Sequence, residues 1–292
     1  MSIICIYHSR DLDGYASGAI VKRKYPEAKL IGYDYKQPIP WEEIPPGVPI
    51  IMVDVSLDMP DMERLAKYSN MQLTWIDHHI SKIKEFESYA ASRESFMVVS
   101  LKDGISAAEL AWKFFFPGTD MPPAIQLLGE YDTWRNADKV KWDSRILPFQ
   151  FGMRSICNSP ETFPNYLFYP DMISEDKDIE RIISFGQTIL AYIFKTNQTL
   201  CRRGAFEADF MGYNVICLNA SGVNSDTFYT VYDESKHDIM MPFFFDGKRW
   251  VFSLYTTKDN VDCSMIALQN GGGGHKKAAG FESDTLDILV KK

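Results

Sequence analysis

The sequence predicts an α/β fold in three parts: a mainly parallel N-terminal sheet with flanking helices, a helical linker, and a smaller C-terminal αβ domain. Two observations support this prediction. In the first half, short apolar runs alternate with helical patterns, as expected of parallel strands that are covered by helices. At 175–200, apolar residues recur three or four positions apart over a stretch long enough to bridge two domains. We therefore expect domains at 1–174 and 203–292, joined by a linker at 175–202.

The N-terminal elements follow from the spacing of the apolar residues. The predicted strands are 3–7, 29–33, 50–53, 73–76 and 96–100, and the predicted helices are 14–24, 60–68, 106–116 and 122–130. Two helix starts have local support. Asp58 precedes a Met-Pro pair, and Pro60 suits the first turn of a helix. Ser106 can cap the next helix, with Glu109 three residues on as in a capping box.

The second half is less regular. The stretch 135–174 is rich in aromatic residues and proline and has weak periodicity, so we expect irregular structure there. Strands are then predicted near 204–210, 213–218, 239–245 and 249–255, followed by a glycine-rich turn and a short C-terminal tail. Neither an internal repeat nor a low-complexity tract interrupts this order.

The bulk composition limits the function classes. A hydrophobic content of 46% over 292 residues is ample for a packed core. A net charge of −8 argues against a general nucleic-acid coat protein, which would show a broad basic face. No apolar run reaches the roughly 18 residues of a membrane span, and the N-terminus lacks the positive region of a signal peptide. The five widely spaced cysteines form no C-x-x-C pair, which favours reduced core thiols and a cytoplasmic location.

Three predicted strands each end in residues that can bind a metal. The first strand runs into His8, the third into Asp54, and the fourth into the tripeptide Asp77-His78-His79. In an open α/β sheet, ligands bind at the carboxyl ends of parallel strands. So many carboxylates packed together without a cation would repel one another at a substantial cost in free energy. The candidate metal ligands are His8, Asp11, Asp13, Asp54, His78 and Asp132.

Taken singly, several of these residues could have a purely structural role. An acidic residue in a turn, such as Asp11 or Asp132, is more commonly a turn former or a helix cap. His8 has the alternative role of a polar cap on the first strand. As a set, oxygen ligands with imidazoles favour Mn²⁺, with Mg²⁺ or Co²⁺ as alternatives. Two such ions would polarise a phosphoryl oxygen and lower the pKa of the water between them.

A second unusual feature is the run of four glycines at 271–274. Glycine is unfavourable inside a helix or a strand. The run therefore suggests that another group approaches the backbone closely here, or that successive N–H groups bind an anion. His275 and Lys276 add cations directly after it. The alternative is a flexible hairpin turn followed by solvated lysines. Arg154 is a further candidate for a phosphate contact, with a surface ion pair as its alternative.

Read in order, these motifs resemble a known family. The pattern His8-x-x-Asp11-x-Asp13-Gly14, then Asp54, Asp77-His78-His79 and Asp132, is similar to the four motifs of the DHH phosphoesterase superfamily. The segments 261–267 and 271–281 resemble its C-terminal substrate-binding domain, called DHHA1. Family members include family II inorganic pyrophosphatases, single-strand-specific exonucleases, nanoRNases and cyclic-dinucleotide phosphodiesterases. The resemblance spans nearly the whole chain.

The resemblance implies a role for each matched residue. It assigns one metal ion to His8, Asp11 and Asp54, and a second to Asp13, Asp54, His78 and Asp132. Asp54 would bridge the two ions and share the catalytic role with His79, which would face the substrate phosphate. Asp77 would orient an imidazole. One departure concerns His8, because Asp11 follows it by three residues where family members often have four.

In the C-terminal domain, the resemblance implies that the glycine run binds substrate. Gly272, Gly273, Gly274 and His275 would hold a phosphate or a terminal nucleotide. Arg154 remains a candidate for the same task in the N-terminal domain.

The features together predict a manganese-dependent phosphohydrolase or phosphodiesterase that acts on short oligonucleotides or small nucleotides through two-metal activation of water. Its partners would be such substrates rather than a membrane or long duplex DNA. The low net basicity disfavours long DNA, because its processive digestion needs an electropositive channel. A homodimer is compatible with this prediction. The alternatives are an exopolyphosphatase or inorganic pyrophosphatase-like hydrolase, which would need more cations near the glycine run, and a non-catalytic nucleotide-binding sensor.

Overall fold

The computed structural model describes residues 3–35, 37–91, 97–169, 175–286 and 290–291. The chain divides into two compact units, Met1–Leu190 and Ala191–Lys292. Each unit contains a sheet and buried apolar clusters of its own. No helix among these residues is long and apolar enough to cross a membrane.

The sheet of the first unit has five strands, all parallel, in the order β2-β1-β3-β4-β5. They are β1 (Ile4–His8), β2 (Lys29–Tyr33), β3 (Ile50–Val53), β4 (Leu73–Asp77) and β5 (Val98–Leu101). All five predicted strands are confirmed, except that residue 96 of the last lies outside the described residues. Residues Ile50–Val53 are buried throughout, as expected of a central parallel strand covered on both faces.

The connectivity of this sheet creates a switch point. The chain places β2 on one side of β1 and then crosses to place β3 on the other side. In open α/β sheets, the crevice at such a reversal, outside the carboxyl ends of the strands, is where ligands bind. One large apolar cluster forms around Ile20, Val53 and Phe149, and another around Ile4, Met52 and Trp75.

Helices cover the sheet of the first unit and continue beyond it. They are α1 (Leu12–Lys24), α2 (Met59–Tyr68), α3 (Ile80–Ala90), α4 (Ala107–Phe115), α5 (Pro123–Asp132), α6 (Lys139–Lys141), α7 (Leu147–Ile156) and α8 (Glu175–Gly204). The capping box of Ser106 and Glu109 is present, and Asp58 precedes the start of α2. The four helices predicted in the first half and the long helix after 174 are thus confirmed.

Two helical regions of the structure were not predicted from the sequence. Helix α3 follows His79 directly. Ile83 is its one buried residue among those described, and Phe86 and Tyr89 on the same face are partly buried against the core. The irregular stretch predicted at 135–174 is wrong in part, because α6, a π-helical turn at Trp142–Ile146 and α7 occupy much of it. The π turn changes the helical period and so hides the pattern. Residues 170–174 lie outside the described residues.

The sheet of the second unit is mixed, in the order β10-β11-β9-β8-β7-β6-β12. Its strands are β6 (Ala205–Phe210), β7 (Tyr213–Asn219), β8 (Ile239–Phe245), β9 (Trp250–Tyr255), β10 (Gly273–His275), β11 (Ala278–Ser283) and β12 (Val290–Lys291). The four strands predicted near 204–210, 213–218, 239–245 and 249–255 are confirmed. Helix α9 (Cys263–Gln269) is capped by the preceding Asp262, whose carboxylate accepts hydrogen bonds from Ser264 N and Met265 N.

The predicted glycine-rich turn and C-terminal tail are wrong in part. Gly271 lies in a turn, but Gly273–His275, Ala278–Ser283 and Val290–Lys291 form strands. Strand β10 pairs antiparallel with β11, and β11 continues the sheet beside β9. A side chain on Gly272 would place its Cβ 2.1 Å from Gly280 O, and one on Gly274 would lie 2.5 Å from Ala279 Cα. Gly274 also has a φ of 144°, which L side chains rarely adopt. The close approach of β11 therefore requires glycine at these two positions.

Candidate metal centre

Three parallel strands bring their carboxyl ends to one edge of the first sheet. Strand β1 ends at His8, Asp54 follows β3, and β4 ends at Asp77. Ligand atoms that lie within 4.8 Å of one another form three groups: His8 with Asp11 and Asp54, Asp13 with His78 and Asp132, and Asp54 with His78 and His79. The structure therefore brings together all six predicted ligands at the topological switch point.

A close helix–strand contact positions the first group. The start of α1 approaches β1 so closely that a Cβ on Gly14 would lie 2.0 Å from His8 O. Asp11 caps the helix, because its Oδ1 accepts a hydrogen bond from Gly14 N at 3.1 Å. Its other oxygen lies 3.2 Å from His8 Nδ1, which is also 3.5 Å from Asp54 Oδ2. The helix-cap role of Asp11 and its place in the cluster thus coexist.

Asp54 occupies the middle of the cluster in a strained conformation. Its φ of 60° places a non-glycine residue in the left-handed region, which costs on the order of 1–3 kcal/mol and occurs preferentially at functional sites. The side chain is buried, and its two oxygens face different imidazoles. Oδ2 lies 3.5 Å from His8 Nδ1, and Oδ1 lies 3.3 Å from His78 Nε2. Asp54 therefore joins the first group to the second.

The second group surrounds His78. Its Nε2 lies 3.3 Å from Asp132 Oδ2 and 3.7 Å from Asp13 Oδ2. The buried Asp13 carboxylate also accepts hydrogen bonds from Ala107 N at 2.8 Å and Ala108 N at 3.0 Å, in the first turn of α4. The helix N-terminus thus stabilises its negative charge. Asp132 reaches the group from the last position of α5.

Asp77 is directed at His79 rather than at the cluster. Its wholly buried carboxylate accepts the backbone N–H of His78 at 2.7 Å and that of His79 at 3.1 Å through Oδ1. The same oxygen lies 2.6 Å from His79 Nδ1, and Oδ2 accepts a hydrogen bond from Trp75 Nε1 at 3.2 Å. The bond to Asp77 raises the pKa of His79. Asp77 therefore fixes the orientation of the His79 ring, whose Nε2 points away from the carboxylate.

The electrostatics of the cluster are unfavourable without a cation. Burial raises the pKa of Asp54 well above its usual range, and the nearby Asp13 raises it further. Burial together with the same carboxylates raises the pKa of Asp132 to about 9. Burial works to lower the pKa of His8, but Asp11 and Asp54 outweigh it and raise that pKa to about 10. Each shift reflects negative charge gathered in a place with little water.

The same residues fit a divalent metal. Within the described part of the chain, three buried atoms of the cluster lack a hydrogen-bond partner: His8 Nδ1, Asp54 Oδ1 and Asp132 Oδ2. A buried polar atom left in this way costs free energy, which coordination to a cation would recover. Carboxylate oxygens with imidazole nitrogens form a donor set that suits Mg²⁺, Mn²⁺ and related ions.

Two neighbours of the cluster were not predicted. Asp34 directly follows β2, and its Oδ1 lies 3.6 Å from His8 Nε2. The ring of Tyr35 packs edge-on against two imidazoles, with centroid distances of 5.7 Å to His8 and 6.3 Å to His79. The strand-end argument that identified Asp54 would also have identified Asp34, because β2 ends at the same edge.

The other predicted site residues lie elsewhere. Gly272, Gly273, Gly274 and His275 belong to the second unit, where His275 is exposed on β10 and the position of a Cβ on Gly273 is open. Arg154 belongs to α7 in the first unit, and its guanidinium lies 5.5 Å from the ring centre of Tyr131, the residue before Asp132. Substrate binding by these residues stays a prediction.

No family model matches the sequence. An uncharacterized protein of Acanthamoeba polyphaga mimivirus is 24% identical over 247 residues, which cover 80% of this chain and 52% of that protein. An oligoribonuclease of Bacillus subtilis is 23% identical over 295 residues, which cover 94% of this chain and 71% of the relative. This chain therefore spans about half the length of the viral relative.

Two solved structures share the fold. The DHH domain of a member of a ribosomal-protein family superposes with a TM-score of 0.52 at 14% identity, covering 97% of this chain and 83% of the other. A pGpG-specific phosphodiesterase of Vibrio cholerae gives a TM-score of 0.51 at 14% identity, with 98% and 93% covered. At this identity the similarity shows the fold, and it confirms the α/β architecture that the resemblance to DHH phosphoesterases implied.

Proposed function

We propose that this chain, which has the fold of DHH-domain proteins, is a manganese-dependent phosphodiesterase that hydrolyses short oligonucleotides or small nucleotides. The observation that carries the proposal is the position of Asp54, whose two oxygens face two separate groups of carboxylate and imidazole ligands. The names of two similar proteins, an oligoribonuclease and a pGpG-specific phosphodiesterase, support the same substrate class.

In this proposal the cluster holds two ions. His8, Asp11 and Asp54 would bind one, and Asp13, Asp54, His78 and Asp132 would bind the other. When bound, divalent ions supply Lewis acidity, which withdraws charge from a phosphoryl group and makes water easier to deprotonate. The imidazoles favour Mn²⁺ over Mg²⁺, because Mg²⁺ prefers an all-oxygen set.

The residues around the cluster have their own tasks. Asp77 holds His79 through Nδ1, so that Nε2 of that ring is available to hydrogen bond with a phosphate oxygen of the substrate. The first turn of α4 holds the Asp13 carboxylate at both oxygens and so prevents it from rotating away. The catalytic geometry therefore depends on groups outside the ligand set.

In this proposal the second unit contributes a phosphate contact to substrate recognition. The exposed imidazole of His275 would bind a phosphate, and the uncovered backbone at Gly273 would allow a ligand to approach closely. Arg154 would add a cation in the first unit. Among the described residues it forms no ion pair, and its guanidinium packs on aromatic rings instead.

Hydrolysis assays test the proposal directly. The purified chain is incubated with a panel of dinucleotides and with bis-p-nitrophenyl phosphate in Mn²⁺, and then with excess chelator. We expect turnover that chelation abolishes and that added Mn²⁺ restores. Absence of metal-dependent turnover on every member of the panel would refute the proposal. Turnover on pyrophosphate and polyphosphate alone would assign the anhydride-hydrolase alternative instead.

A further inference from the structure

A pocket of about 610 Å³ adjoins the metal centre within the first unit. It lies where β2 and β3 end and where α2 and α3 begin. The lining residues that matter here are Tyr33, Tyr35, Ser56, Asp58, Asp61 and Lys82. None of them belongs to the ligand set of the centre, so the motifs do not account for this pocket.

Tyr35 connects the pocket to the centre. Its side chain lines the pocket, and its ring also packs against the imidazoles of His8 and His79 at centroid distances of 5.7 and 6.3 Å. A group bound in the pocket would thus lie one aromatic ring away from a phosphate at the centre.

The charges of the pocket exclude a second phosphate as its occupant. Lys82 is its one cation among the described lining residues, and its Nζ already lies 3.1 Å from Asp58 Oδ1 and 2.9 Å from Glu85 Oε2. Asp61 is half-buried and forms no ion pair within the described residues. The lining is therefore net negative, and it favours a neutral group that donates hydrogen bonds.

Ser56 supports the ring of Tyr35 in the wall of the pocket. Its side chain lines the pocket and is only 1% exposed, and both its side chain and its backbone hydrogen bond with the Tyr35 hydroxyl. The orientation of the Tyr35 ring is therefore fixed between Ser56 and the imidazoles of the centre.

We propose that this pocket binds the nucleobase next to the scissile phosphate and that it prefers guanine, an inference that rests on the proposed phosphodiesterase function. The ring of Tyr35 offers aromatic surface to a base, whereas Tyr33 is buried in the core. Guanine presents a ring N–H beside an amino group, and these two donors match the two oxygens of the Asp61 carboxylate. Uracil presents one N–H between two carbonyl oxygens, which the carboxylate repels.

The test compares pGpG with pUpU. We expect kcat/KM for pGpG to exceed that for pUpU by about tenfold, the discrimination that one two-donor base contact supplies. Asp61→Asn should reduce this ratio to below about threefold, because the amide no longer accepts at both positions. Asp120→Asn makes the same chemical change outside the pocket, in the segment between α4 and α5, and should leave the ratio unchanged.

Binding of mononucleotides in chelator separates this inference from the proposed function. We expect guanosine monophosphate to bind more tightly than uridine monophosphate in calorimetry, and Asp61→Asn to remove the difference. Equal binding of the two, or a preference that survives in Asp61→Asn, would overturn the inference even if dinucleotides are hydrolysed. If the protein prefers guanosine monophosphate but hydrolyses no dinucleotide, the guanine preference of the pocket is supported and the proposed phosphodiesterase function is refuted.

Discussion

The Oδ1 atom of Asp77 lies 2.6 Å from Nδ1 of His79, and the carboxylate that provides it is wholly buried. Two backbone N–H groups bind the same oxygen and Trp75 Nε1 binds the other, so the carboxylate cannot turn without breaking four interactions. The ring of His79 is therefore oriented by the protein before any substrate arrives.

This orientation predicts the effect of Asp77→Asn. The amide can still accept the backbone N–H groups, but it holds the imidazole less firmly, so we expect kcat to fall by about 10–100-fold. If Asp77 acts through His79, the same change should cost little in a His79→Ala background. Turnover measured on all four proteins of this cycle gives the answer. Fully additive losses would contradict the coupling.

Asp54→Asn should separate stability from activity. We expect turnover to fall by at least about a hundredfold, more than the loss of a supporting residue costs. In chelator, however, the variant should melt a few degrees above the wild type, because it removes a carboxyl group whose ionised form is disfavoured by burial and by the neighbouring Asp13. Asparagine also tolerates the left-handed backbone at this position.

Thermal melting with and without Mn²⁺ completes that experiment. The wild type should gain stability from the ion, since a ligand that binds only the folded state stabilises it. Asp54→Asn should gain much less. A variant that melts lower than the wild type in chelator would show that Asp54 is not under electrostatic strain there.

The glycine run offers a matched pair of substitutions. Gly274→Ala should destabilise the second unit by about 1–3 kcal/mol, because of its φ of 144° and the contact with Ala279. Gly273→Ala meets open space and should stay within about 0.5 kcal/mol of the wild type. Chemical denaturation followed by circular dichroism measures both. If both substitutions destabilise the protein equally, the pairing of β10 with β11 is not the reason that position 274 requires glycine.

The cysteines should be inert in the folded protein. All five are free and buried, and burial raises the pKa of Cys217 to about 12 and that of Cys263 to about 11. Because the thiolate is the reactive form, we expect iodoacetamide to alkylate none of the cysteines in the folded protein at neutral pH. In denaturant we expect it to alkylate all five. Intact mass spectrometry resolves the two states. Rapid modification of any cysteine under native conditions would show that it is accessible.

The parallel sheet and its ligand cluster could be predicted from the sequence because both depend on strand ends. Apolar runs such as Ile50–Val53 are conspicuous, and the residue that follows each run must lie at one edge of the sheet. Asp34 follows the same rule, because it comes directly after β2, a strand that the sequence also predicts.

Other features depend on contacts that no local pattern reveals. The glycines at 272 and 274 are explained by a strand that passes close beside them, and a single sequence does not show which segment comes that close. Tyr35 presents the same difficulty, because one aromatic residue among many acquires its place beside His8 and His79 only through tertiary packing.

The hydrogen bonds from Ala107 and Ala108 to Asp13 join residues more than ninety positions apart in the chain. The second ligand group is thus incomplete until α4 has docked against the start of α1. An unfolded chain carries these carboxylates without any arrangement that a cation could recognise, so the centre assembles only together with the docking of α4 against α1. The amide protons of Ala107 and Ala108 consequently report on this docking, and their protection from solvent exchange should appear together with the capacity to bind metal.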